Sequence, residues 1–188
     1  QPYKKIKLLQ MASVRFLFFL TLFATGLMHS IEIKISISKQ TLTLQDSESI
    51  IKSFRISSSK YGEGFQEGSF KTPLGLHEIK SMIGDEVPIG GRFIGRQYYG
   101  EIFPIYSDVK QKVSEDVIQT RILWLTGLEE GKNKGGSVDS FSRYIYIHGT
   151  PEEWLLGEKA SKGCIRMSNK DVIELFSLVR KGTRVDII

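Results

Sequence analysis

"RYIYIHG", residues Arg143–Gly149, sets Tyr144 and Tyr146 on one face and Ile145 and Ile147 on the other, the two-residue period of a half-buried β-strand. It is the strongest strand signal in the chain, and it delivers His148 at its end. Downstream, "TPEEWLLGEKASKGCIRM" (Thr150–Met167) turns at Pro151, is predicted to form a turn or one helical turn through Leu156, and returns through Gly157–Ser161 to Cys164. Upstream, "VIQTRILWL" (Val117–Leu125), after the acid Asp116, reads as another strand, joined to the first by the glycine-rich connection Gly127–Ser140.

The rest of the chain repeats this character. "IEIKISI" (Ile31–Ile37), "TLTL" (Thr41–Leu44) and "IIKSFRI" (Ile50–Ile56) are three strands in close succession, which predicts an antiparallel start. Ser57–Gly75 is rich in Gly and Ser and reads as a long loop, "LHEI" (Leu76–Ile79) as a short strand, and residues 80–100, with five glycines, as irregular. One helix stands out: Ser168 is a good N-cap with Asp171 three residues on, Val172, Ile173, Leu175, Phe176 and Val179 fit one broad face, and Gly182 stands beyond the end. "TRVDII" (Thr183–Ile188) is a closing strand. About seven strands against one or two helices predict a mainly β domain, sandwich or barrel-like.

The chain of 188 residues suits one domain with a core of its own. Its net charge of +5 is misleading. Lys4, Lys5, Lys7 and Arg15 lie in residues 1–30 with no acid, which leaves 22 basic against 21 acidic residues for the remainder. A folded part so near neutral lacks the basic surface that phosphate binding requires, and excludes nucleic acid as the expected partner.

The basic start belongs to a leader. From Met11, "MASVRFLFFLTLFATGLMHS" has a short region with Arg15, an apolar run Phe16–Met28 and a small polar end, the layout of a secretory signal. The run is shorter than the roughly 20 residues that span a bilayer comfortably. Residues 1–30 are therefore expected to be a signal peptide or N-terminal anchor, with residues 1–10 upstream of a plausible start. The domain at 31–188 is expected in the periplasm or another extracytoplasmic space, touching membrane only through the leader. One cysteine in such a chain excludes an internal disulfide and leaves a thiol to explain.

A nucleophilic cysteine needs a base, and His148 ends a strand sixteen residues before Cys164 with a segment between them able to fold back. Gly163 allows a sharp backbone turn just before the thiol, so that N–H groups can face a substrate carbonyl. Arg166, two residues on, is predicted on the same side as Cys164, suited to a carboxylate. Each has a plainer reading: a small buried hydrophobe, a capping histidine, a solvated arginine. Spacing alone leaves both open. With His29 in the leader, His77, His148 and Cys164 show no paired ligand spacing, so no metal or other cofactor is expected.

"IYIHGT" and "SKGCIRM" resemble the signature of the L,D-transpeptidase (YkuD-like) catalytic domains: a His-Gly ending a strand and, further along, Ser/Thr-His-Gly-Cys, an aliphatic residue and Arg. "GSFKTPLGLHEI" (Gly68–Ile79) resembles the family's Thr-Pro-x-Gly segment, and the opening and closing strands resemble its own, so the likeness covers residues 31–188.

The resemblance implies an exported peptidoglycan enzyme in which Cys164 is the nucleophile, His148 the base, the Gly149 carbonyl the orienter of the ring, and the N–H groups around Lys162, Gly163 and Cys164 the oxyanion donors. Substrate contacts would fall to Ser161 and Lys162, to Arg166 if it holds a stem carboxylate rather than supporting the loop, and to His77 if it lines the donor groove rather than shaping the strand entry. The implied partners are peptidoglycan stem peptides and, as one acceptor, an envelope lipoprotein; the expected form is a monomer acting in wall organisation and cell shape. Resolution by water, as in a carboxypeptidase, or stem binding without turnover are the alternatives. Lys162 stands where the family most often has histidine.

Overall fold

The computed structural model describes residues 30–47 and 49–188; apart from Ser30, the leader read from the sequence lies outside the described residues. The opening strands are β1 (Ile31–Ser36), β2 (Thr41–Asp46) and β3 (Ser49–Arg55). Their alternation does what the pattern predicts: Ile33, Ile35, Leu42 and Leu44 are buried, while Lys34 faces solvent. After the loop follow β4 (Gly75–Ile83), β5 (Gly91–Ile94), β6 (Gln97–Ile102), β7 (Ile118–Gly127), β8 (Tyr146–Gly149), β9 (Ile165–Met167), the helix α1 (Asn169–Leu178) and β10 (Arg184–Ile187).

One mixed sheet contains them in the order β3-β2-β1-β10-β4-β7-β5-β6, with β8 branching from β7 and β9 pairing with β8. The pairs β1–β10 and β8–β9 are parallel, and the others antiparallel. The chain just past β3 then meets the far end of the branch: Ser57 bridges Arg166 and Ser59 bridges Ser161. The circuit from β3 back to β9 is closed in this way, which makes the fold mainly β and barrel-like.

Inside lies the main core, from Ile33, Ile35, Leu42 and Leu44 through Leu123, Leu125, Ile147 and Ile165 to Val185 and Ile187. Side chains buried this fully stabilise the fold by about 1.5–3 kcal/mol each. Helix α1 packs Val172 and Leu175 into the same core, against β7 and β8. Its start is the one expected, the Ser168 hydroxyl accepting from Asp171 N–H at 3.0 Å. A smaller cluster of Phe93, Ile122 and Tyr146 lies elsewhere, and Cys164 packs at its margin.

Three expectations change. Residues 80–100 are not irregular: β4 runs on to Ile83, and β5 and β6 form a hairpin turning at Gly95 and Arg96, both at positive φ. Tyr144 is not in the strand; at φ 57° it ends a turn, so β8 is only four residues long. Val179 leaves the helix in an extended conformation.

Candidate active site

The site is built where β8 and β9 run side by side, with His148 opposite Arg166. Alternation sends Ile147, Ile165 and Met167 into the main core and leaves Tyr146, His148 and Arg166 on the other face, with Cys164 one residue before β9 packing beside Tyr146. The thiol and the imidazole therefore share one face of neighbouring parallel strands.

His148 is completely buried, and its Nδ1 lies 2.8 Å from the carbonyl oxygen of Gly149. A carbonyl can only accept, so Nδ1 carries the proton. Burial lowers the pKa of the ring, with Asp116 opposing, and holds it neutral at pH 7. Nε2 is then a bare lone pair, and it has no hydrogen-bond partner. Gly149 is required by crowding: a Cβ there would stand 2.5 Å from Asn169 Oδ1 and 2.9 Å from the Gln119 carbonyl. Those neighbours belong to a buried polar network in which Asn169 Nδ2 donates to the Thr150 carbonyl (2.8 Å) and Glu153 (2.9 Å), and Thr120 donates to Asn169 Oδ1 (2.5 Å).

Cys164 is half-buried. Its Sγ donates to the Tyr144 carbonyl at 3.3 Å and accepts from Tyr146 N–H at 3.4 Å, so the thiol rests on the turn before β8 rather than on the imidazole. Burial, then the Asp116 carboxylate, push its pKa up to about 12, and the proton stays on sulfur. Gly163 adopts φ 121°, a conformation open to glycine and strained for other residues. Its N–H is turned onto Ser161 Oγ (3.3 Å), and Ser161 donates in turn to the Cys164 carbonyl (2.6 Å). Thr72 Oγ1, from the long loop, donates to the Gly163 carbonyl at 3.0 Å. Ser161 is fully buried, so the structure gives it the tying of this turn and not a surface for a substrate.

Arg166 lies on the predicted face and takes the second of its two expected roles, supporting a loop. It is only 5% exposed, and its guanidinium is taken up by Asp116, through Nε at 3.0 Å and through Nη2, and by Glu152 at 2.9 Å. Glu152 accepts from Val113 N–H as well (3.1 Å), so the arginine clamps the 103–117 loop and the segment after His148 together. His77 lies apart from the thiol's surroundings, buried between Ser140 Oγ (2.9 Å) and the Gly75 carbonyl (2.8 Å), where it secures the entry to β4. Lys162 is exposed and lines two clefts. One, of about 280 Å³, holds Asp116, Glu152 and Arg166; the other, of about 140 Å³, holds Arg143 and Tyr144. Sequence reasoning missed Glu152, Asn169 and the site role of Asp116, because each acts through a partner 14 to 50 residues away. Among the described residues no group of His, Cys, Asp and Glu side chains is arranged to hold a metal ion.

The fold is that of L,D-transpeptidases. L,D-transpeptidase 3 from Mycobacterium tuberculosis, solved with a faropenem-derived adduct, superposes at a TM-score of 0.51 over 85% of this chain and 60% of that one, with 18% identity. The transpeptidase LdtMt1, solved with imipenem, gives 0.50 with 16% identity, over 85% of this chain and 59% of that one. The model of the YkuD L,D-transpeptidase catalytic domain matches residues 30–187, and the chain belongs to that family. The YkuD protein of Bacillus subtilis, assigned as an L,D-transpeptidase, is 48% identical over 61 residues, 30% of this chain and 37% of the relative. ErfK/SrfK of Salmonella typhimurium, assigned likewise, is 48% identical over 46 residues, 24% of this chain and 15% of the relative. The matched stretches thus span little more than a third of the relatives' length at most.

Proposed function

We propose that this transpeptidase is an exported, cysteine-dependent peptidoglycan enzyme that acts on stem peptides at Cys164. The observation that carries the reading is the bare, buried Nε2 of His148 on the face that also carries the thiol. A short rotation of Cys164 about χ1 frees Sγ from the Tyr144 carbonyl. The sulfur then attacks the carbonyl carbon of the third stem residue while its proton passes to Nε2. Because both groups rest uncharged, proton transfer accompanies attack.

The tetrahedral oxyanion is met by the backbone N–H groups of Lys162 and Cys164, since that of Gly163 is already engaged by Ser161. Collapse breaks the bond to the terminal D-alanine, whose amine takes the proton back from His148, and leaves a thioester. An amine acceptor attacks the thioester, gives its proton to Nε2, and releases the thiol with a new amide. A second stem yields a cross-link, a lipoprotein lysine an anchored protein, and a free D-amino acid an exchanged stem. The Gly149 carbonyl supports the imidazolium that forms at each transfer.

The test is mass spectrometry of tetrapeptide muropeptides incubated with the protein and with Cys164→Ala, a D-amino acid being offered as acceptor. Loss of D-alanine with dimer or exchanged product, absent in the variant, is the expected result. Loss of D-alanine alone would replace the proposal with a carboxypeptidase. No turnover on stems of more than one chemistry would leave a wall-binding domain and make Lys162 the suspect.

A further inference from the structure

The larger of the two clefts that share Lys162 is lined by seven charged groups besides Lys162 itself. Its three acids are each provided with a cation: Asp116 and Glu152 by Arg166, and Glu115 by Arg92 at 2.6 Å. Of its four lysines, Lys159 is paired with Glu63 at 2.7 Å, whereas Lys60, Lys112 and Lys162 have no acidic partner among the described residues. All three are exposed on the rim. They come from three separate segments: the loop after β3, the loop before β7, and the turn that carries the thiol. Lys60 rests its ammonium over the Tyr61 ring at 5.2 Å, which leaves its charge unneutralised. A concave surface whose own acids are paired, and whose rim keeps three ammonium groups without an acidic partner, is arranged for an anion supplied from outside.

The ligand's chemistry follows from place and size. Lys162 also lines the smaller cleft, where the Tyr144 carbonyl holds the thiol, so an anion drawn to Lys162 belongs to a peptide that reaches from one cleft to the other and engages Cys164. A cleft of about 280 Å³ lies at the small end of ligand pockets and suits one acidic residue rather than a whole stem. Arg166 is not available for this task, being committed to Asp116 and Glu152. Resting on the function proposed above, we infer that Lys60, Lys112 and Lys162 form a carboxylate-reading subsite, so that the enzyme prefers peptides whose acidic groups are free over the same peptides amidated. The carboxylate belongs either to the donor or to the acceptor peptide.

Separate amidation of donor and acceptor distinguishes these sources. Steady-state turnover is measured for the wild-type chain, Lys112→Gln and Lys60→Gln, with each peptide offered as free acid or amide, at low and high salt. In the wild type, amidation of one of the two peptides is expected to raise KM about threefold to tenfold, and added salt to erase the difference. The Gln variants are expected to narrow the preference while kcat on the amidated peptide stays as it was. Binding of the same peptides to the Cys164→Ala chain gives a readout free of turnover. A protein that turns nothing over but binds the free acid preferentially keeps the subsite and overturns the enzymatic reading. Equal KM and equal binding for free and amidated peptides, or a preference unchanged in both Gln variants, overturns the subsite.

Discussion

Cys164 is expected to be a slow thiol toward a reagent that carries no proton acceptor of its own. Its pKa is pushed up to about 12, first by burial beside Tyr146 and then by the Asp116 carboxylate. Roughly three units above an ordinary thiol mean a thiolate fraction about a thousandfold smaller at pH 7.5. A more basic thiolate is also more nucleophilic, and a Brønsted coefficient of about 0.4–0.5 returns about twentyfold. The net expectation is alkylation by iodoacetamide about fiftyfold slower than that of a small cysteine derivative.

The chain has one cysteine, so whole-protein mass spectrometry reads this rate without ambiguity. The rate should rise close to tenfold per pH unit from pH 6.5 to 9.5 with no plateau, and reach the small-thiol value in denaturant. His148→Gln should change it little, because the imidazole does not touch sulfur at rest. The same variant should slow acylation by a carbapenem or a stem peptide by about a hundredfold or more, since there the base takes the proton during attack. A plateau with its midpoint near or below pH 7 would mean a preformed thiolate–imidazolium pair and would refute the neutral-thiol argument.

Arg166→Leu strands Asp116 and Glu152 as uncompensated carboxylates and should cost about 3–5 kcal/mol, which a chain of this size shows as a melting point lower by about 6–20 °C. Gly149→Ala drives a Cβ to 2.5 Å from Asn169 Oδ1; expected are about 1–3 kcal/mol of lost stability in denaturant titration and a lower kcat, as the carbonyl that orients His148 is displaced. Burial lowers the pKa of both His77 and His148, so below about pH 6.5 the unfolded chain takes up protons that the folded chain refuses. Stability should accordingly fall between pH 6.5 and 5, before most carboxylates titrate; His77→Gln should flatten that slope, and a melting temperature that rises over this interval would contradict the assignment.

What could be read from the sequence was local. The cap at Ser168, the apolar stripe of α1 and the alternation of β1 and β2 are each decided by residues within a few positions, and these appear as predicted. The β5–β6 hairpin was hidden because Gly90 and Gly95 serve its turns while Gly91 and Gly100 lie within its strands, in a pair whose register shifts between Gly91 and Phe93, and such a composition looks the same as a loop's. Tyr144 fits the strand alternation in sequence while its backbone turns to φ 57°, a cost met by the turn from Asp139 and detectable only from tertiary contacts. Arg166 is the instructive case: period two put it on the thiol's face, correctly, but nothing local could reveal that two distant acids had already claimed its guanidinium.

The spacing between the histidine and the cysteine has a physical origin in the pairing of β8 with β9. Two parallel strands cannot be joined by a hairpin; the chain must travel back along their length, and such crossovers need about a dozen residues or more. Here the connection runs from Thr150 to Cys164, fifteen residues between the end of β8 and the start of β9. Antiparallel pairing would have needed only a short turn, but would have brought the end of one strand against the start of the next and set His148 beside the turn itself. Parallel pairing instead returns the chain to the beginning of β8, so Cys164 arrives next to Tyr146 and diagonal to His148, on the same face. The crossover then has length to spare for the 3-10 turn at Glu153–Leu155, for Glu152 beneath Arg166, and for Lys162 on the rim between the two clefts. The residues that read as a loop between two motifs are thus the wall of the site those motifs form.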